Sequence, residues 1–286
     1  MKISEIINKN SPALSFEVFP PKNSESYESI TNSALEIAKL NPDFMSVTYG
    51  AGGTTGSYTI DIAEKILACG VSPVAHLTCV CSGRDKIRET LSQIREKGIE
   101  NILALRGDMP AGMNEKSLDF EHASDLAAEI KDFGGFCIGG ACYPEGHPES
   151  SNQAEDIRNL KLKVDAGCEF LTTQMFFDNN ILYNFLYKIR EAGITVPVIP
   201  GIMPVTNPAQ IKRICSLSGT ILPRRFIQIV DRFGSNPKAM KQAGIAYATE
   251  QIIDLYANGI NAVHVYSMNK PDVAAQIQSN LKDIIA

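Results

Sequence analysis

The chain repeats one pattern eight times: a short, apolar, β-branched run stops at polar residues and gives way to a loop and a helical stretch. The runs fall at 13–19, 44–50, 72–79, 101–107, 136–143, 169–177, 196–203 and 262–268, each bounded by Gly, Pro or Asn as strands are. Amphipathic stretches lie between them at 24–40, 54–69, 83–97, 121–133, 150–166, 179–192 and 207–218. Their apolar residues recur at helical spacing, as in Ile87, Leu91 and Ile94. Gly70, Gly98, Gly167 and Gly193 follow these helices where a left-handed cap is required.

Strands alternating with helices predict a parallel sheet, because parallel neighbours need crossover connections. Eight such units close a barrel better than they make an open sheet, so the expected fold is an α/β (β/α)8 TIM barrel. An extra helix near 223–233 and a longer one at 236–258 fill the gap between the seventh and eighth strands, and a last helix spans 271–284. No linker or low-complexity segment divides the 286 residues, which read as one domain, 1–286. Such a barrel builds its active site from polar residues at strand ends.

Composition excludes several classes of function. A formal charge of −5 leaves no basic stripe to neutralise phosphates, which argues against nucleic acid as a partner. The pair Arg224-Arg225 reads as a solvated helix start. Met1-Lys2-Ile3-Ser4-Glu5 lacks the apolar core of a signal peptide, and no run of eighteen apolar residues suggests a membrane span. The seven cysteines are scattered, several within strands, where cysteine behaves as a small buried hydrophobe. A cytoplasmic protein is expected. Cys79-Val80-Cys81 has no matching second pair, so the thiols read as structural and no metal is expected.

Two strand ends carry most of the chemistry. In Ser15-Phe16-Glu17-Val18-Phe19-Pro20-Pro21 a lone carboxylate sits in a hydrophobic strand. Burial disfavours its ionised form, which suits a general acid; the alternative is a core glutamate paired with an Arg or Lys. In Leu105-Arg106-Gly107-Asp108 a strand ends in charge, with a glycine that permits close approach of a flat ligand; a local Arg–Asp turn fits equally. His76 occupies the corresponding stop of the third strand, as a ligand contact or a hydrogen-bonded core residue. Tyr143-Pro144-Glu145-Gly146-His147-Pro148-Glu149 suits a pre-shaped ligand loop. The helix after it places Asp156, Asn159 and Lys163 at spacings of three and four, on one face, which is either a solvated stripe or a seat for a polar cofactor tail.

Other motifs are missing. Gly50-Ala51-Gly52-Gly53-Thr54-Thr55-Gly56 is neither a P-loop nor G-x-G-x-x-G, and there is no H-E-x-x-H or G-x-S-x-G. A cofactor-free barrel lyase acting through a Schiff base needs a lysine inside a strand, and none of the eight runs contains one. A binding protein without turnover has no use for an internal acid.

With these residues in view, the chain resembles the methylenetetrahydrofolate reductases of bacterial, single-domain type. The motifs run in order from Ser15–Pro21 through Ser46-Val47-Thr48-Tyr49-Gly50-Ala51, Ala75-His76-Leu77-Thr78-Cys79, Ala104–Asp108 and Tyr143–Pro148. They continue through Leu160–Gly167, Thr173-Gln174-Met175-Phe176-Phe177-Asp178, Pro200-Gly201-Ile202-Met203-Pro204-Val205 and His264-Val265-Tyr266-Ser267-Met268-Asn269. The resemblance implies a flavoprotein of one-carbon metabolism and methionine biosynthesis that reduces 5,10-methylenetetrahydrofolate to 5-methyltetrahydrofolate. NADH or NADPH would first reduce FAD and depart, and the folate would then take the same face of the flavin.

By the same resemblance Glu17 is the general acid and Asp108 tunes flavin and folate. The FAD contacts are Thr48, His76, Arg106, Gly107, Asp108, Tyr143, His147, Asp156, Asn159 and Lys163. Glu17, Gln174, Gln210 and Lys270 lie on the substrate side. Leu162, Ile214 and Lys270 depart from the family pattern, which bears on the grip on the cofactor's adenine end and on the electron donor. The family implies a homo-oligomer, and some relatives work with a partner subunit or take electrons from another protein.

Overall fold

The computed structural model describes residues 1–9, 11–49, 56–80, 82–108, 119–209, 211, 215 and 218–285. Its strands are β1 (Ala13–Val18), β2 (Phe44–Val47), β3 (Ser72–Thr78), β4 (Asn101–Leu105), β5 (Cys137–Cys142), β6 (Phe170–Thr173), β7 (Val198–Ile199), β8 (Gly201–Ile202) and β9 (Ala262–Tyr266). All pair in parallel, in the order β7-β6-β5-β4-β3-β2-β1-β9-β8.

The two ends of that order are halves of one strand. Pro200 has no N–H to donate and interrupts the run 196–203, so β7 pairs with β6 and β8 pairs with β9. The Pro200 carbonyl still accepts from His264 N at 2.9 Å. The sheet thus closes into the predicted barrel.

Ten helices are described: α1 (Ile3–Ile7), α2 (Tyr27–Ala38), α3 (Gly56–Ala68), α4 (Arg84–Glu96), α5 (Ala123–Phe133), α6 (Gln153–Asp165), α7 (Asn179–Glu191), α8 (Arg224–Phe233), α9 (Pro237–Ala257) and α10 (Pro271–Leu281). The extra helices between the last strands stand as expected, whereas the predicted helix at 207–218 lies partly outside the described residues. The run 169–177 is corrected. Its strand ends at Thr173, and Met175 and Phe177 leave the sheet to pack with Met203, Phe226 and Met240 beside α8 and α9. None of the described helices is long and apolar enough to cross a membrane.

One apolar layer fills the space between strands and outer helices. A second plugs the lower end of the barrel: Ile3, Ile6 and Ile7 of α1 pack on Ala13, Phe44, Val74, Leu103, Cys137, Phe170, Ile199 and Ala262. Gly139 makes room there, since a Cβ on it would lie 2.4 Å from the Phe170 ring. The plug is tied by buried Asn101, which accepts from Ile3 N at 2.9 Å and donates to Met1 O and Pro73 O, both at 3.1 Å.

Above the plug the interior turns polar, with Ser15, Ser46, His76 and His264 all buried. Burial is the main influence on His76 and pulls its pKa down to about 4; Glu17 opposes the shift and His264 adds to it. The ring is therefore neutral at pH 7.

Two stability outcomes are expected. Asn101→Ala leaves the Ile3 N–H and two carbonyls without partners, and should cost about 2 kcal/mol in urea unfolding; a cost below about 0.5 kcal/mol would contradict the tie. The unfolded chain protonates His76 near pH 6.5 and the folded chain only near 4, so stability falls as pH drops through that window. The loss attributable to His76 is up to about 3 kcal/mol, and His76→Phe should flatten the stability profile there.

Candidate active site

The polar layer opens at the C-terminal ends of the strands, where Glu17 forms the rim. Register sets its neighbours: Glu17 pairs with Ser46 on β2 and with Tyr266 on β9. Its side chain is 20% exposed, enough to reach solvent or a ligand. Oε2 lies 3.5 Å from Ser46 Oγ, 3.7 Å from His76 Nε2 and 3.9 Å from His264 Nε2. Among the described residues no arginine or lysine pairs with Glu17, so the alternative of a core glutamate neutralised by a cation is not what the fold builds.

The end of β1 is clamped from β9. Ser267 Oγ donates to Glu17 O at 2.6 Å, and the Asn269 side chain accepts from Phe19 N and donates to Phe19 O, each at 2.9 Å. Met268 and Asn269 both hold φ of 53°, a left-handed conformation that only a well-fixed loop maintains in residues other than glycine. Thr48 is drawn to the same edge through its N–H to Val18 O at 3.0 Å.

A second group gathers beyond β4 and β5. Arg106 follows β4 and donates to Glu149 at 2.7 Å, an ion pair that holds the Glu149 carboxyl below its usual range. Gly107 takes φ +89°, and a Cβ there would lie 2.7 Å from Val80, so only glycine fits. Asp108 is exposed at the rim. Tyr143 meets His147 edge-on at 4.5 Å, and His147 Nδ1 accepts from Glu149 N at 3.2 Å. Burial, then the Asp156 and Asp108 carboxylates, push the Tyr143 phenol up.

On α6, Asp156 is buried and burial raises its pKa, with Lys163 opposing. Lys163 donates to Ala141 O at 3.0 Å, and burial lowers its pKa. These two face the barrel, which removes the reading of a solvated stripe for them, while Asn159 stays exposed. Leu162 is exposed as well.

On the remaining side, Gln174 anchors its backbone N to Cys142 O at 2.7 Å and accepts from Met175 N through Oε1. Lys270 donates to Thr206 Oγ1 at 2.6 Å, bridging the loops after β8 and β9. Gln210 and Ile214 lie outside the described residues.

Sequence reasoning assigned no role to Ser15, Ser46 or His264. Nδ1 of His264 lies 2.7 Å from Ser15 Oγ and Nε2 lies 2.9 Å from Ser46 Oγ, while the ring stacks on Phe44 at 5.8 Å. The available signal was a histidine within an apolar strand, as at His76. The site therefore offers two cations, the Glu17 carboxyl group and His76 Nε2, which is buried and has no hydrogen-bond partner among the described residues. That set suits a ligand with an anionic tail and a flat, polar ring.

A model of the methylenetetrahydrofolate reductase family matches residues 2–282. The 5,10-methylenetetrahydrofolate reductase of Escherichia coli (strain K12) is 35% identical over 265 residues, covering 92% of this chain and 88% of its own. Methylenetetrahydrofolate reductase (NADH) 1 of Arabidopsis thaliana is 34% identical over 298 residues, which is 98% of this chain but 50% of the plant protein. The chain thus spans about half the length of its plant relatives. Among solved structures, an uncharacterized protein from Clostridium thermocellum that binds two copies of 5-methyl-5,6,7,8-tetrahydrofolic acid aligns over 99% of both chains, with a TM-score of 0.67 and 16% identity, a likeness of fold alone. Barrel, motifs and family match agree: the chain belongs to the methylenetetrahydrofolate reductase family.

Proposed function

We propose that this protein reduces 5,10-methylenetetrahydrofolate to 5-methyltetrahydrofolate, with FAD held across the barrel mouth, NADH as electron donor and Glu17 as proton donor. The observation that carries the reading is Glu17, a carboxyl group at the open end of the barrel that faces a hydroxyl and two imidazoles. Further support comes from the family match, from the NADH in the plant relative's name and from the folate bound by the Clostridium thermocellum protein.

The residues fit a flavin dinucleotide. Arg106 and Lys163 would face its diphosphate, with Asp156, Asn159, Tyr143 and His147 along the nucleotide. Thr48, His76, Gly107 and Asp108 would border the ring, where the unpartnered His76 Nε2 offers a polar contact. Bound there, the flavin supplies the hydride chemistry.

The protein's own task is proton placement. Glu17 gives its proton to N10 of the folate as the bond from N10 to the methylene carbon breaks. The carbon is left as an electron-poor iminium on N5, and a hydride, carrying two electrons, converts it to a methyl group. Glu17 then recovers a proton from water at the mouth. Asp108 places negative charge beside flavin and folate, and Gln174, Lys270 and Gln210 would orient the substrate.

Stopped-flow spectroscopy separates the half-reactions. Glu17→Gln should slow folate reduction by about 10²–10⁴-fold while NADH still bleaches the flavin at close to the normal rate. Equal loss of both, with flavin bound, would contradict the role given to Glu17. Asp108→Asn should change the flavin midpoint potential and the folate Kd in titrations; unchanged values of both would remove that role. A protein purified with flavin that NADH does not bleach would point instead to a protein electron donor.

A further inference from the structure

We infer that His264 is a positioning residue, which fixes the direction of the Ser46 hydroxyl so that its lone pairs, and not its proton, face Glu17. The inference rests on the reading of Glu17 as proton donor and adds to it the direction of the neighbouring hydroxyl.

The direction is set at a backbone carbonyl. Val263 O can only accept, and Ser15 Oγ donates to it at 3.0 Å, which commits the hydroxyl's single proton. Ser15 therefore meets Nδ1 of His264, 2.7 Å away, as an acceptor, and Nδ1 carries the ring hydrogen. The ring is 2% exposed and lies against the face of Phe44. A neutral ring protonated at Nδ1 has a bare Nε2, which takes the Ser46 proton across 2.9 Å.

Ser46 Oγ is then left with lone pairs toward Glu17 Oε2, 3.5 Å away. A lone pair there can accept from a protonated Glu17, whereas a Ser46 proton turned the other way would donate to its carboxylate. Two further titratable groups face the pair. Tyr266 on β9 commits its hydroxyl to Thr173 O at 2.5 Å, and His76 on β3 is neutral at pH 7. Neither supplies a charge that would reverse the order. Gly201 protects the arrangement, because a Cβ on it would lie 2.4 Å from the Tyr266 hydroxyl.

The test reads the ring directly and does not need turnover. The chain has four histidines, so ¹⁵N-histidine spectra are sparse, and His264→Phe, whose ring can still stack on Phe44, assigns the signal. The expected result at neutral pH is Nδ1 protonated and Nε2 bare. A ring protonated at Nε2, or at both nitrogens, overturns the inference. In folate reduction, the basic limb of the pH–rate profile should move about one pH unit lower in both His264→Phe and Ser46→Ala. A limb that stays in place or moves up in either variant overturns it too, because a Ser46 that donates to the carboxylate gives the opposite sign. Wild-type protein that fails to reduce folate would remove the proposed function, and the ring spectrum would still decide the hydroxyl's direction.

Discussion

A carboxyl group that pairs with no arginine or lysine among the described residues is the constraint on which the upper half of this barrel depends. Burying an ionised carboxylate is costly, and the usual relief is an ion pair. Glu17 is given a hydroxyl, a neutral imidazole and a second, hydrogen-bonded imidazole instead, and it keeps an opening to the mouth. Arg106 and Lys163 are engaged elsewhere, with Glu149 and with the Ala141 carbonyl.

The rest of the fold makes that arrangement rigid. The lower barrel is a dry plug of Ile3, Ile6 and Ile7 against the first layer of strand residues. Closure occurs through a strand split at Pro200, whose carbonyl receives His264 N and so fixes the height of β9. From β9 the Ser267 and Asn269 clamp reaches back to Glu17 O and Phe19. The backbone that carries the acid is thereby set by β9, the strand that also carries His264 and Tyr266. Placement of a donor to within a fraction of an ångström needs this kind of support, since proton transfer requires hydrogen-bond reach.

Much of this was legible in the sequence, and the reasons differ by residue. The eight strand–helix units were readable because each is a local pattern of period and punctuation. Glu17, His76 and the Arg106–Asp108 cluster stood out as polar residues in apolar runs. The full run 169–177 misled, because Met175 and Phe177 are as apolar as the strand but serve a different cluster. Helix α1 was too short to show a periodicity. Ser15, Ser46 and His264 escaped notice because their meaning lies in register: Ser46 and His264 are 218 residues apart in sequence yet 2.9 Å apart in space. The cofactor face on α6 was only half legible, since spacing grouped Asp156, Asn159 and Lys163 but could not tell which of them turn inward.

The most direct test of the central claim is a crystal structure of the protein with FAD and 5-methyltetrahydrofolate bound. The account expects the Glu17 carboxyl group within hydrogen-bond reach of folate N10, about 3 Å directly or through one water, with the pterin lying over the barrel mouth. A folate bound with N10 turned away from Glu17, or a Glu17 swung into an ion pair with Arg106 or Lys163, would contradict it.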